Sequence, residues 1–291
     1  MKKILFFALW LLIISTTACN NNDKGKETKS DTVRVKAFTD PGAINAKATI
    51  DNISFYKRLD NTTKKVSYNY IDFMEAIKSW DSATGSTAKE IYLVYGAYTI
   101  KDSTWYMTSH RAISKKMYLD SVLNQPCLMM GYADPNNAGK FFYKEFGTIC
   151  PPPTSCETVA LIPNRKEFFA TTNYTGFDAA AAIDNFNSLY NTDASQPLTE
   201  MVKFNIDSIR NLVTAAGTAI NSTIYFFMGA YDNNDANRYR DTHPGFNISP
   251  TEIQNKTCLL FGLFNTKNQM YSFYDFGTLC PPQNSCASTF K

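Results

Sequence analysis

The chain has 291 residues with 29 basic and 26 acidic side chains, which gives a formal net charge of +3. Two of the lysines lie in a predicted signal peptide, and their removal leaves 3 − 2 = +1 for the mature chain. A nearly neutral protein lacks the basic footprint of nucleic-acid binding, so we predict no nucleic-acid partner.

The amino terminus has the pattern of a bacterial export signal. Two lysines precede eleven apolar residues, Ile4 to Ile14. This run suits a signal-peptide core and is too short to span a bilayer as a helix. Small residues follow and then Cys19, which resembles a bacterial lipobox, although Thr16 stands where that motif usually has Leu. We predict a signal peptide over residues 1–18 and lipidation of Cys19; the alternative is an ordinary secretory peptide that ends near a cysteine.

Residues 19–35 are predicted to form a flexible tether. The sequence after Cys19, NNNDKGKETKSD, is polar and charged and contains no aromatic residue, so it cannot bury enough apolar surface to fold. Two acyl chains on Cys19 would give stable attachment to a membrane. We therefore expect an exported protein that is lipid-anchored to the outer membrane, at its periplasmic face or at the cell surface.

The remaining chain contains an internal duplication. Its repeats are predicted at residues 36–156 and 169–291, with a linker at 157–168. Four blocks recur in the same order, which is the signature of tandem copies of one unit. The matching blocks are ATIDNISFY with AAIDNFNSL, EIYLVYGAY with TIYFFMGAY, CLMMGY with CLLFGL, and FGTICPPPTSC with FGTLCPPQNSC.

Each copy begins with two predicted helices. Apolar residues at helical spacing indicate the first helix, and it follows Thr175-Gly176 in the second copy. A second apolar face follows, and a glycine ends it in each copy. In the first copy, the first helix is marked by Ile50 and Ile53, and the second by Phe73, Ala76, Ile77 and Trp80 before Gly85. In the second copy, the first helix is marked by Phe177, Ala181, Ile183, Phe186 and Tyr190, and the second by Val202, Ile206, Ile209, Val213 and Ala216 before Gly217.

Three predicted strands follow the helices. EIYLVYGAY is rich in aromatic and β-branched residues, as strands prefer. CLMMGY and KFFYKEF flank a turn at residues 134–137 and are predicted to form a hairpin. A short helix is expected between Thr99 and Gln125. The predicted fold class is α+β, with two tandem copies of a small α-α-β-β-β unit whose helices pack on an antiparallel sheet.

This order of elements, with an IY-x-x-x-G strand and the tail FG-x-[IL]-CPP-x-x-x-C, resembles uncharacterised small α+β proteins of Bacteroidota that end in a CPP-x-C-type tail. The tail here has three extra residues before its last cysteine, and the aromatic strand lacks the arginine associated with that group. The resemblance implies fold and lineage and brings no activity, cofactor or site residue with it.

Six cysteines remain after Cys19, three in each copy: Cys127, Cys150 and Cys156, and Cys258, Cys280 and Cys286. An exported compartment permits disulfides, and six cysteines allow fifteen pairings. The preferred pairing closes Cys150–Cys156 and Cys280–Cys286 and leaves Cys127 and Cys258 as free thiols buried on strands. The rival pairing joins Cys127 to a tail cysteine. A zinc site is disfavoured because no C-x-x-C is present, and we predict no metal and no cofactor.

The two histidines of the chain occupy the same place in each copy, within Y-x-x-[ST]-H. Tyr106 and His110 correspond to Tyr239 and His243. The pair marks a possible site, with imidazole as metal ligand or proton carrier, but the preferred interpretation is that both copies inherited one structural histidine. No catalytic group can be assigned. We therefore expect a non-catalytic envelope lipoprotein that binds a glycan or protein or has a structural role; the alternative is a hydrolase that uses His110 or His243.

Overall fold

The structure, a computed structural model, describes residues 59, 62–109, 113–137, 141–150, 177–192, 198–217, 222–231, 249–254 and 256–280. These residues all belong to one compact unit, Arg34–Lys291. The first half of the described chain, up to residue 150, contains five strands and three helices: β1 Lys65–Asn69, α1 Tyr70–Thr84, β2 Glu90–Ala97, α2 Ser103–Ser109, α3 Lys115–Ser121, β3 Pro126–Ala133, β4 Phe141–Lys144 and β5 Thr148–Cys150. A 3-10 turn, Ile100–Asp102, precedes α2.

The second half of the described chain follows a related order: α4 Ala179–Tyr190, β6 Met201–Asn205, α5 Ile206–Ala216, β7 Thr223–Ala230, α6 Pro250–Ile253, β8 Thr257–Asn265, β9 Met270–Tyr274 and β10 Thr278–Cys280. The α+β class with antiparallel sheets is as predicted.

The strands form two five-stranded antiparallel sheets, and each sheet takes strands from both halves of the chain. Sheet 1 has the order β5-β1-β7-β8-β9, and sheet 2 has the order β10-β6-β2-β3-β4. In sheet 1, β1 pairs with β7, with Val66 opposite Phe226. In sheet 2, β6 pairs with β2, with Val202 opposite Leu93. Each half therefore contributes its first and last strands to the sheet whose other three strands come from the opposite half.

The inner faces of the two sheets share one hydrophobic core. The ring of Phe204 in sheet 2 lies 5.2 Å from that of Phe226 in sheet 1, edge to face. Two tyrosine hydroxyls cross between the sheets: Tyr68 donates to the carbonyl oxygen of Leu128 at 2.5 Å, and Tyr95 donates to that of Cys258 at 3.1 Å. Because the hydroxyls end on backbone carbonyls, these large aromatic side chains are buried without an unsatisfied polar group.

Helices α1 and α5 end at the glycines that the sequence predicts, and each begins after an asparagine cap. Asn69 caps the start of α1 by accepting a hydrogen bond from the amide of Ile71, and Asn205 caps α5 through the amide of Ser208. Gly85 and Gly217 follow the helix ends with φ of 67° and 58°. Positive φ is strained for residues with a Cβ, so glycine at these two positions stops the helices at little cost.

The predicted unit omits two strands in each half. In the second half, β6 lies between the two helices and β10 follows the β8–β9 hairpin; β1 and β5 hold the corresponding places in the first half. The placement of Val202 on a helix was wrong, because Val202 lies on β6 and α5 begins at Ile206. Val202 and Ile206 are four residues apart, so a strand that runs directly into a helix imitates helical spacing.

The other predicted elements of the first copy are confirmed within the described ranges. Gly85 ends the second predicted helix, β3 pairs with β4 as a hairpin, and short helices occupy the segment between Thr99 and Gln125. The helix predicted around Ile50 and Ile53 lies outside the described residues.

Candidate functional site

Tyr106, the described member of the predicted histidine motif, is a core residue. It lies on α2 and is fully buried. Its ring centroid is 5.0 Å from that of Tyr98 and 5.3 Å from that of Tyr118. His110, Tyr239 and His243 lie outside the described residues, so the structure does not test whether the motif is a site.

A buried acid lies beside this aromatic cluster. One carboxylate oxygen of Asp102 accepts from the amide of Thr99 at 2.7 Å and from its hydroxyl at 2.8 Å. Burial raises the pKa of Asp102, and the bonds from Thr99 oppose that rise because they favour the carboxylate. Tyr118 donates its hydroxyl to the carbonyl oxygen of Thr99 at 2.6 Å, which holds α3 beside the 3-10 turn. This cluster therefore fixes the connection between β2 and β3.

The cysteines divide into two groups. Cys127 and Cys258 are buried on β3 and β8, as the sequence predicts for strand residues. Cys150 and Cys280 end the edge strands β5 and β10. Cys19, Cys156 and Cys286 lie outside the described residues, so lipidation and disulfide pairing remain predictions.

The recurring FG-T-[IL]-C motif has a packing role in both halves. A Cβ on Gly147 would lie 2.5 Å from Cγ1 of Val66, and a Cβ on Gly277 would lie 2.5 Å from Cγ1 of Val202. Real Cβ contacts are not this short, so only glycine allows the motif backbone to approach β1 and β6 this closely. The recurrence of this motif is therefore explained by the seating of an edge strand.

Lys144 is the group with the most unusual chemistry in the described residues. It is 1% exposed on β4. Its Nζ donates to the hydroxyl of Ser79 at 2.5 Å and lies 4.7 Å from the ring centroid of Trp80. Burial lowers the pKa of Lys144 from 10.5 to about 7. The ring of Trp80 acts in the opposite direction, because its negative face favours the charged ammonium.

A polar network adjoins Trp80 and Lys144. The ring of Tyr132 lies 5.3 Å from that of Trp80, and its hydroxyl donates to Asp81 at 3.1 Å. The same oxygen of Asp81 accepts from the amide of Ala88 at 2.8 Å, and the hydroxyls of Thr84 and Tyr132 are 3.2 Å apart. This network ties the carboxyl end of α1 to β3.

The lysine site has no equivalent in the second half. When the halves are aligned through FGT and through CLMMGY with CLLFGL, Tyr274 takes the place of Lys144 and Leu263 takes the place of Tyr132. The sequence did contain a signal for Lys144: it follows Phe142 by two residues on a strand, so both side chains lie on the same face of the sheet. A lysine on a buried face of a sheet is uncommon and marks a candidate site.

A second lysine, Lys65 on β1, lies among aromatic rings of sheet 1. Its Nζ is 5.1, 5.6 and 5.8 Å from the ring centroids of Tyr271, Tyr225 and Phe227. It also donates to the hydroxyl of Tyr271 at 2.9 Å. These contacts join β1 from the first half to β7 and β9 from the second through a cation held over aromatic faces. They therefore strengthen the pairing between the halves.

Within the described ranges, no group of three or more His, Cys, Asp or Glu side chains could hold a metal ion. None of the helices in that part of the chain is long and apolar enough to cross a membrane. No protein-family model matches the chain, and no curated protein or solved structure is similar to it at a significant level. The residues of the chain itself therefore provide the basis for its proposed function.

Proposed function

We propose that this protein is an exported bacterial lipoprotein, anchored through Cys19 to the outer membrane, whose folded body is a non-catalytic binding or structural module of the cell envelope. The observation that carries the proposal is the position of Cys19, directly after eleven apolar residues and a run of small ones. The polar sequence of residues 19–35 then separates the lipid from the folded body.

In our proposal the body consists of two copies of one unit, and its resemblance to Bacteroidota α+β proteins reflects a shared lineage. The equivalent strand orders of the two sheets support a duplication, since β5-β1 and β10-β6 have corresponding positions. The matching packing of Gly147 and Gly277 supports it further. Fusion of two copies suits a binding module, because two linked weak sites gain avidity for a glycan or protein partner.

The non-catalytic role is supported by the use that the structure makes of the recurring residues. Gly147 and Gly277 pack against β1 and β6, and Tyr106 lies in the core. The alternative, a hydrolase that uses His110 and His243, is favoured by one observation, the recurrence of Y-x-x-[ST]-H in both copies.

Metabolic labelling with a palmitate analogue tests the anchor. We expect wild type to be labelled and to sediment with membranes, and Cys19→Ser to lose both properties. Cys127→Ala is the matched control, because it removes a thiol that lies outside the proposed disulfides and should retain the label. An unlabelled wild-type protein would refute lipidation.

The location and the role of the histidines need separate experiments. Protease treatment of intact cells, followed by detection of the second half, distinguishes the cell surface from the periplasmic face. For the role, a deletion strain is complemented with the double variant His110→Gln/His243→Gln. Full restoration of the envelope phenotype is expected for a binding or structural module. Loss of complementation by a stably expressed double variant would favour the hydrolase.

We also propose that the disulfides Cys150–Cys156 and Cys280–Cys286 close the proline-rich tails. The exported compartment supports this pairing, as does the short spacing within each tail. Non-reducing peptide mapping by mass spectrometry should recover the two linked peptides, and a Cys127–Cys150 peptide would support the rival pairing.

A further inference from the structure

Ser79 on α1 and Lys144 on β4 bring a hydroxyl and a buried amine into direct contact. The Nζ of Lys144 lies 2.5 Å from the Oγ of Ser79. Ser79 is partly exposed, whereas Lys144 is 1% exposed. A serine hydroxyl near the surface therefore contacts an amine that is withdrawn from water, which is the arrangement in which a lysine acts as the base for a serine nucleophile.

The surroundings of the amine favour its neutral form. Burial lowers the pKa of Lys144 to about 7, so a large fraction of the molecules has a neutral amine at neutral pH. A general base is most effective when its pKa lies near the working pH. The hydroxyl of Ser79 donates to the carbonyl oxygen of Ala76 at 2.7 Å. Because a hydroxyl hydrogen rotates about the Cβ–Oγ bond, the same hydrogen can turn to a neutral Nζ without movement of the heavy atoms.

The indole N–H of Trp80 adds a second feature to this site. Trp80 is fully buried, and its ring centroid lies 4.7 Å from the Nζ of Lys144. Its Nε1 has no hydrogen-bond partner in the part of the chain that the structure describes. A buried donor without an acceptor costs free energy. A carbonyl oxygen of a bound acyl ligand would supply the missing acceptor.

The three side chains are replaced together in the second half. When the halves are aligned through EIYLVYGAY and TIYFFMGAY, Leu212 and Val213 take the places of Ser79 and Trp80. Tyr274 takes the place of Lys144. The hydroxyl, the amine and the indole N–H thus form one unit that belongs to the first half alone.

We propose that Ser79 is a nucleophile that captures the acyl group of a carboxylic ester, with Lys144 as its base. The neutral amine takes the hydroxyl proton while Oγ forms a bond to the carbonyl carbon of the ester. The bond from that carbon to the alcohol oxygen breaks, and the ammonium returns the proton to the departing alcohol. The product is an acyl ester on Ser79. This stoichiometric capture goes beyond the proposed binding or structural role and does not depend on the lipid anchor.

Acetylation by 4-nitrophenyl acetate tests the pair. The purified mature protein is incubated with this ester, and the acetylated residues are located by peptide mass spectrometry. We expect an acetyl group on Ser79 that hydroxylamine removes, because hydroxylamine cleaves esters and leaves the amides formed on lysines intact. Ser82, an exposed serine on the same helix, is the internal control and should stay unlabelled.

Lys144→Met removes the base and leaves the hydroxyl of Ser79 in place. It should lower the rate of Ser79 acetylation about a hundredfold or more. Lys78→Met removes the exposed lysine next to Ser79 and should react at the rate of wild type. Urea unfolding checks that both variants are folded, and the comparison of Ser79 with Ser82 in wild type needs no variant.

Three results would overturn the proposal. They are acetylation of Ser79 no faster than that of Ser82, equal rates at Ser79 in wild type and Lys144→Met, and an acetyl group found on lysines alone. Because the reaction does not involve Cys19, each of these results leaves the proposed lipid anchor unaffected, and the reverse also holds.

Discussion

At the scale of single residues, the closest packing is at the glycines of the repeated FGT motif. In Gly147→Ala, the new Cβ would meet Val66 and also Cζ of Tyr68 at 2.9 Å. We expect this substitution to lower the free energy of unfolding by about 1–3 kcal/mol, because overpacking forces neighbours to move. Urea unfolding measures the change.

A double-mutant cycle provides the control. Val66→Ala removes the methyl group nearest to the new Cβ, so the two substitutions together should cost less than the sum of their separate costs. Strict additivity would contradict a steric origin. Gly277→Ala with Val202→Ala provides the same cycle in the second half.

Lys144 makes a second prediction at this scale. Its pKa is lower in the folded protein than in the unfolded chain, so the unfolded chain binds more protons between about pH 7 and 10. Stability contributed by this group therefore rises with pH across that window and is constant below it. Lys144→Met should flatten the rise and add about 1–3 kcal/mol at pH 7, because an apolar side chain replaces a buried cation.

Denaturant unfolding at several pH values gives this comparison. Lys78→Met, which removes an exposed lysine from α1, should keep the slope of wild type. The same slope in Lys144→Met and wild type would show that the buried amine does not titrate in this range.

At the scale of elements, α4 from the second half is held by polar bonds to the first half. Tyr190 donates its hydroxyl to the carbonyl oxygen of Asn124 at 2.6 Å, and Asn185 donates to that of Tyr98 at 3.1 Å. Tyr190→Phe should cost about 1 kcal/mol, because it leaves the packing intact and removes one hydrogen bond. Ser188→Ala on the same helix, whose hydroxyl bonds to the carbonyl oxygen of Asn185, is the control and should be close to neutral. Stability is measured by chemical unfolding, and equal losses in the two variants would contradict the role of Tyr190 in holding α4 to the first half.

At the scale of the whole molecule, the exchange of strands makes the two halves depend on each other. Neither half contains its own complete sheet, because β1 pairs with β7 and β6 pairs with β2. We therefore expect the halves to remain associated after cleavage of a protease site inserted within residues 157–168. Size-exclusion chromatography should show one species in native buffer, with or without reductant, and two fragments in denaturant. Fragments that separate in native buffer would contradict the pairing.

The sequence by itself determined the elements whose signals are local. Gly85 and Gly217 set the ends of α1 and α5 because glycine adopts positive φ without strain. The β3–β4 hairpin followed from the turn at residues 134–137, and aromatic and β-branched composition identified β2 and β7. The α+β class follows from these elements. The export signal and Cys19 were also read from local pattern, and they remain predictions.

Tertiary structure alone decided how the strands pair and which side chains surround Lys144. β1 and β7 are separated by more than 150 residues, and pairing at that distance leaves no local pattern that selects one partner over another. β1 and β6 have five residues each and run directly into helices, so β1 was not predicted and Val202 of β6 was counted with the helix. The environment of Lys144 likewise depends on Ser79 and Trp80, which only the packing of α1 against sheet 2 brings to it. Long-range contacts, and not residue preferences, therefore determine the exchange of strands and the lysine site.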